Sequence, residues 1–307
     1  MKNNDLATLI KLLDLTGQDV VIVDDDICHK IQMRLLDVLD DIISVCDKYH
    51  VRWQMSGGSA LGTIRHKGFI PWDDDIDINM ERKELERFIP LFKKHFESKY
   101  YIYVLGETEN YNYMMVHIMT KDVKARALME DDRLPSGLCV DVFSIDNVPD
   151  GKIARKIHGV SCMIYRYALS CLRFQYNAKD IGTIAKNNPE IHKIERNRGT
   201  LAKMFNIIPE KWWTVHADRC CRKYVDKPGK MVTILAGTKK YFGEMYPREE
   251  FCRTKEAVFE GRKVQISEYI EQYMEQLYGK DYMVIPPKEK RGRHVYMELD
   301  IDALEQY

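Results

Sequence analysis

Pro71-Trp72-Asp73-Asp74-Asp75-Ile76-Asp77-Ile78 is the stretch whose reading decides the fold. From Asp75 to Asn79, polar and apolar residues alternate, the period of a strand with one buried face. On such a strand Asp73, Asp75 and Asp77 share a face, while Ile76 and Ile78 enter a core. Asp75 and Asp77 then stand about 6–7 Å apart, from a rise of about 3.3 Å per residue. Two ionised carboxylates at about 6 Å repel by about 3 kcal/mol at an effective dielectric of about 20. A divalent cation offsets that repulsion, and clustered hard oxygens suit Mg²⁺ or Mn²⁺ rather than zinc. A metal held this way can bridge phosphate oxygens and neutralise charge developing in phosphoryl transfer. The competing reading is a solvated acidic loop, against which the alternating isoleucines argue.

Just upstream, Ser56-Gly57-Gly58-Ser59 separates a predicted strand, residues 51–55, from a predicted short helix, residues 60–65. Glycines there let backbone N–H groups approach an anion, and a helix N-terminus favours negative charge. Ser59 adds a hydroxyl. Arg65-His66-Lys67-Gly68 then puts cationic side chains directly before the acidic strand. Gly57, Gly58, Ser59, Arg65, His66 and Lys67 are therefore candidate phosphate-binding residues. For the basic ones, ion pairs with the neighbouring aspartates are the alternative. Trp72 either stacks on a base or a cationic group or packs in the core. Asp74 points away from its neighbours and reads as structural.

Outward from this centre, residues 20–23 read as a short strand. Ile27, Ile31, Leu35, Val38, Ile42 and Val45 recur at helical spacing, predicting a long amphipathic helix to about Tyr49. Residues 81–96 read as a helix, and 100–105, 113–119, 123–128 and 138–145 as strands rich in β-branched and aromatic residues. Pro149 and Gly151 mark a boundary. Residues 153–174, 191–205 and 209–224 read as helices, and a last helix covers about 267–278. No internal repeat is present. The expected organisation is a catalytic core with its N-terminal helix over 1–150, a helical region over 151–225, and a C-terminal segment over 226–307 that packs back on the core.

Composition narrows the function classes. In 307 residues, Lys plus Arg and Asp plus Glu both total 47. There is no basic excess for a nonspecific nucleic-acid coat. The eight cysteines show no C-x-x-C spacing, and the adjacent Cys220 and Cys221 suit neither a zinc knuckle nor an ordinary disulfide. They read as reduced, buried thiols of a cytosolic protein. The N-terminus lacks the pattern of a signal peptide, and the apolar stretch 160–172 is too short to span a bilayer. Contact with a membrane surface stays open. No G-x-S-x-G elbow, Walker loop or G-x-G-x-x-G is found, and the histidines show no metal-ligand spacing.

The string Gly57-Gly58-Ser59-Ala60-Leu61-Gly62-Thr63-Ile64-Arg65-His66-Lys67-Gly68-Phe69-Ile70-Pro71-Trp72-Asp73-Asp74-Asp75-Ile76-Asp77-Ile78 resembles the signature of the LicD family. That family is related to fukutin-type transferases, and both look like branches of the nucleotidyltransferase superfamily. Asp141-Val142-Phe143-Ser144-Ile145-Asp146 resembles the family's later acidic strand, and Leu277 to Met283, Pro286-Pro287 and His294 its C-terminal block. Residues 151–224 carry no motif of the family. His117 stands where many members have lysine, Ser59 where many have threonine and Ser267 where proline is usual. The fukutin-type zinc insertion is not recognisable.

The resemblance implies an α+β fold, with a nucleotidyltransferase-like mixed sheet flanked by helices and an additional helical region. It implies Asp75, Asp77 and Asp141 as catalytic and metal-binding residues, with Asp73 a weaker ligand. His294 joins the phosphate- or acceptor-binding candidates. The implied partners are a CDP-activated donor such as CDP-choline and a cell-surface glycan or its lipid-linked precursor as acceptor. The implied place is the cytoplasm, with the inner face of the membrane as the meeting point with such an acceptor. Two other functions share these residues: a nucleotidyltransferase acting on a small hydroxyl compound, and a non-catalytic nucleotide- or glycan-binding protein.

Overall fold

The computed structural model describes residues 20–128, 130–177 and 189–306, and for 189–195 the backbone alone. The N-terminal stretch read for a signal peptide lies outside them. Helix α1, Asp25–Tyr49, opens at Asp24, whose side chain accepts from the Ile27 amide at 2.8 Å. Asp25 and Asp26 occupy its first turn, where the helix dipole favours negative charge. Its stripe of Ile31, Leu35, Val38, Ile42 and Val45 is buried, as the spacing requires.

There follow β1 (Gln54–Met55), α2 (Gly57–Arg65), β2 (Ile76–Glu81), α3 (Arg82–Phe96), β3 (Tyr100–Tyr103), β4 (Val116–Ala127) and β5 (Gly137–Val148). Beyond them come α4 (Lys152–Tyr176), α5 (Pro189–Phe205), α6 (Glu210–Cys221), β6 (Met231–Thr233), β7 (Met245–Pro247), β8 (Thr254–Phe259), β9 (Arg262–Ser267), α7 (Ile270–Tyr278) and β10 (Tyr296–Leu299). Among the described residues the main sheet has eight strands, on the path β1-β2-β5-β4-β10. Strand β3 also pairs with β4, and β6 with β5 and β7. Only β2 and β5 are parallel in this sheet. Strands β8 and β9 form a separate hairpin. Helices packed on a mixed sheet make the fold α+β.

Strand β5 is the centre. The registers Ile76↔Val140 and Ile78↔Val142 gather fully buried side chains on one face, where α1 and α3 pack. Because successive side chains alternate, Asp77 and Asp141 fall on the other face. Arg82, at the start of α3, locks that helix to the sheet by two bonds to Asp146, 2.8 and 2.9 Å long and largely buried.

Several predicted boundaries move. The strands at 113–119 and 123–128 are one strand, β4, with an irregularity between Met119 and Lys124. The strand at 51–55 shortens to Gln54–Met55, and residues 20–23 give only a bridge from Val21 to Tyr296. The last helix begins at Ile270 rather than near 267, because Ser267 still belongs to β9.

Candidate active site

Asp77 of β2 is level with Asp141 of β5, and His117 of β4 is level with Asp141 on its other side. Paired residues on neighbouring strands lie about 4.8 Å apart on the same face, so Asp77, Asp141 and His117 form one row across the sheet. Asp73 and Asp75 approach the row from the loop that enters β2. The Asp77 carboxyl is held well above the ordinary carboxylate range, first by burial and then by the charges of Asp75, Asp141 and Asp73; His294 acts the opposite way. The aspartates singled out on the sequence are therefore electrostatic neighbours.

Helix α1 fixes the loop that carries them. Gln32 Nε2 donates to the Asp73 carbonyl at 2.8 Å, and Cys28 Sγ lies 3.6 Å from the same oxygen. Asp74 turns away, its side chain 1% exposed. Its Oδ1 lies 2.9 Å from His294 Nδ1 and accepts from the His294 amide at 3.2 Å. That grip leaves His294 Nε2 facing Asp75, 3.9 Å from Oδ2. His294 thus sits against carboxylates, and one ring nitrogen is already committed.

The glycine turn is not a loop before a helix; it is the first turn of α2 itself. Gly57 has φ +45, and a Cβ there would stand 2.6 Å from Asp77 Oδ2. At Gly58 a Cβ would stand 2.6 Å from Asp73 Oδ2. The bare backbone thus passes directly beside the two carboxylates. The first intrahelical bond runs from Ala60 N to Ser56 O, so the amides of Gly58 and Ser59 precede it and belong to the anion-attracting end. Ser59 Oγ accepts from the Asp77 amide at 2.9 Å, which pins the helix to the strand and leaves the hydroxyl hydrogen as a donor.

The basic loop makes contacts that the sequence did not suggest. Arg65 is turned to the C-terminal segment: Nη1 donates to the Tyr282 carbonyl at 2.7 Å, and Nε lies 3.3 Å from His66 Nδ1. Lys67 is exposed, at φ +63, with its carbonyl held by the Glu260 amide. Among the described residues its ammonium makes no ion pair. Arg65 is thus engaged by the segment after α7, whereas the contact from the distant hairpin holds only the Lys67 backbone. His66 stands edge-on to Trp72, and burial with Arg65 lowers its pKa, so the ring is neutral at physiological pH. The face of Trp72 carries the guanidinium of Arg291, 4.2 Å from the ring centre, and the indole packs on the core.

Other residues emerge only in three dimensions. Cys139 Sγ donates to Asp141 Oδ1 at 3.1 Å, and His117 Nε2 lies 3.4 Å from the same atom. Burial lowers the His117 pKa more than Asp141 raises it, so the imidazole is neutral. Against His117 opens a pocket lined by Tyr103, Tyr111, Tyr113, Glu130 and Asp131. The rings of Tyr111 and Tyr113 lie 5.2 and 4.7 Å from that of His117. Arg173 stacks 3.9 Å over Tyr113, so one of these rings already attracts a cation. The recurring tyrosines of residues 100–113 were the available signal, and alternation alone reads them as ordinary strand residues.

The row could hold a hard divalent cation. The charges that bear most strongly on Asp77 are three carboxylates and one imidazole, and such a cluster of oxygens is the donor set Mg²⁺ or Mn²⁺ takes. Asp75, Asp77 and Asp141, with Asp73 at the margin, are the expected ligands by chemistry, but among the described residues their carboxylate oxygens do not close to within 4.8 Å of one another. His117 and Cys139 add nitrogen and sulfur at the Asp141 end, where the three donor atoms lie within 4.8 Å of one another.

Comparison with known proteins finds related sequences. Residues 50–129 match the model of the LicD/FKTN/FKRP nucleotidyltransferase domain. The lipopolysaccharide cholinephosphotransferase LicD of Haemophilus influenzae is 29% identical over 275 residues, which cover 87% of this chain and 95% of that protein. Uncharacterised proteins of Rickettsia typhi and Rickettsia prowazekii are each 30% identical over 71 residues, 22% of this chain and 23% and 27% of theirs. The matched domain contains the glycine turn, the acidic strand and His117; the relative from Haemophilus extends the likeness over most of the remainder. Residues 50–129 thus form a domain of the LicD/FKTN/FKRP type, and the likeness to a LicD cholinephosphotransferase runs over most of the chain.

Proposed function

We propose that this phosphotransferase moves phosphocholine from CDP-choline to a hydroxyl of a lipopolysaccharide-type glycan, and that the reaction depends on Mg²⁺ or Mn²⁺. The observation that carries the reading is the tyrosine- and carboxylate-lined pocket beside His117 and Asp141. Aromatic faces with nearby carboxylates suit a quaternary ammonium, which offers charge without a hydrogen-bond donor. A phosphate attached to such a head group falls between the carboxylate row and the first turn of α2.

The acceptor oxygen attacks the phosphorus that bears choline. The bond from that phosphorus to the bridging oxygen breaks, and CMP leaves with the electron pair. Asp141, its side chain 24% exposed, takes the proton of the attacking hydroxyl. The amides of Gly58 and Ser59 and the Ser59 hydroxyl hold the phosphate. A divalent ion held by Asp75, Asp77 and Asp141 would neutralise the phosphate charge. Asp74 and Gln32 keep His294 and the acidic loop in position. No helix among the described residues is long and apolar enough to cross a membrane, so a lipid-linked acceptor would be met by peripheral contact, at the inner face in a cytoplasmic enzyme.

The test is incubation of the purified chain with Mg²⁺, lipopolysaccharide and CDP-choline labelled in choline, beside a parallel reaction with CTP or ATP. Release of CMP with label on the glycan is expected. Release of pyrophosphate with nucleotide on the acceptor would make the chain a nucleotidyltransferase, and absence of any turnover a binding protein.

A further inference from the structure

Cysteines and a histidine that look unrelated in the sequence meet between α4 and α6. His158 and Cys162 lie four residues apart on α4, the spacing that stacks side chains on one helix face. Cys220 and Cys221 close α6. Cys162 Sγ stands 3.4 Å from Cys220 Sγ and 3.4 Å from His158 Nε2, and these donor atoms all fall within 4.8 Å of one another. Cys221, also buried, neighbours these thiols on α6 but lies outside that group of donor atoms. Val148, Leu235 and Tyr241 pack around the thiols.

We propose that His158, Cys162 and Cys220 form the core of a structural zinc site, separate from the carboxylate row, with Cys221 turning in as the fourth ligand when the metal binds. Thiolate and imidazole select zinc over magnesium, and three sulfurs with one nitrogen are a common structural zinc set. Zinc at about 2.3 Å from each sulfur spaces sulfurs about 3.8 Å apart in a tetrahedron, close to the separation already present. The outer partner is also in place. His158 Nδ1 lies 3.0 Å from the Tyr241 hydroxyl, as metal-binding imidazoles are commonly held by their second nitrogen. In the metal-free form Nε2 is 2.9 Å from the Cys220 carbonyl and donates to it. Binding zinc shifts the imidazole proton from Nε2 to Nδ1, where it is donated to Tyr241, and each coordinating thiol releases its proton to solvent. The site would tie α4 to α6 in the helical region, outside the matched domain.

The full-length chain, purified without chelator, should retain one zinc per chain through dialysis against Mg²⁺ buffer. Exchange of zinc for Co²⁺ should give intense thiolate-to-cobalt charge-transfer bands. The bands should be lost in Cys162→Ser and persist in Cys139→Ser. If Cys162→Ser does not fold, titration of wild-type thiols with a mercurial decides: zinc must leave in step with modification of the cysteines. A wild-type chain with folded structure but no bound zinc or cobalt would overturn the proposal. So would bands that vanish in Cys139→Ser, or zinc release that ignores the thiols.

Discussion

Asp77 bears the sharpest conflict in the molecule, a carboxyl buried among carboxylates. Its native pKa is raised by burial and by Asp75, Asp141 and Asp73, so the native state keeps a proton that the unfolded chain has lost. For a raised acid the sign is fixed. Its contribution favours the native state below the ordinary value of 3.8 and is lost as pH rises through the native one. Asp77→Asn removes that conflict. In chelator at neutral pH the variant should melt a few degrees above wild type, while CDP-choline turnover falls at least about a hundredfold, beyond the 10–100-fold cost of losing an outer-shell partner. A variant that melts lower, or that keeps its turnover, would remove Asp77 from the site. Glu130 gives a second test at this scale. Burial pushes its carboxyl up to about 8, so it becomes a counter-charge for choline only as pH rises through that value. The KM for CDP-choline should fall across the same range, and Glu130→Gln should flatten the profile and raise the KM several-fold. An unchanged profile in the variant would place the head group elsewhere.

At the scale of elements, the site is a strand row facing one helical turn, and Gly57 sets how closely they meet. A residue with Cβ at φ +45 costs roughly 1–2 kcal/mol, and here the added carbon would also stand 2.6 Å from Asp77 Oδ2. Gly57→Ala should therefore lower the melting temperature and abolish most turnover. Gly58→Ala, outside the left-handed region, meets only the end of the Asp73 side chain, at 2.6 Å, and should melt closer to wild type than Gly57→Ala. Equal melting of both variants would show that the turn is not held against the strand. The strand row itself was legible in the sequence because alternation and an isoleucine pair fix which face Asp77 takes. Asp141 and its partner strand were legible only by family resemblance, since nothing local predicts that β2 and β5 run parallel at that register. The start of α2 was not legible: glycine pairs commonly break a helix, and here the left-handed φ of Gly57 begins one. The contacts of Arg65 and of the Lys67 backbone were not legible, because their partners lie some two hundred residues away, beyond the reach of spacing arguments. The Cys220–Cys221 pair became informative only when α4 brought His158 and Cys162 alongside.

Across the whole molecule, the ends of the chain complete what the middle begins. The acidic loop is held by α1 through Gln32 and by the C-terminal segment through His294, across sequence separations of 41 and 220 residues. Tyr273 of α7 does the same for the glycine turn. Its hydroxyl lies 3.1 Å from Ser56 Oγ and accepts from the Gly57 amide at 3.1 Å, with the ring buried between Tyr246 and Phe251. The α7 helix thus sets the placement of α2 against β2 although it touches no reacting atom. Tyr273→Phe keeps the aromatic packing and deletes only those bonds. Leaving the buried Ser56 and Gly57 groups unsatisfied costs about 1–3 kcal/mol. The variant should melt lower, and kcat should fall by more than the KM for CDP-choline changes, because the proposed head-group pocket lies on β3, β4 and their loops rather than on α7. Thermal melts beside steady-state kinetics check both parts. A fall confined to KM would mean that α7 shapes donor binding instead of the phosphate turn, and a wild-type melt would mean that the hydroxyl carries no structural load.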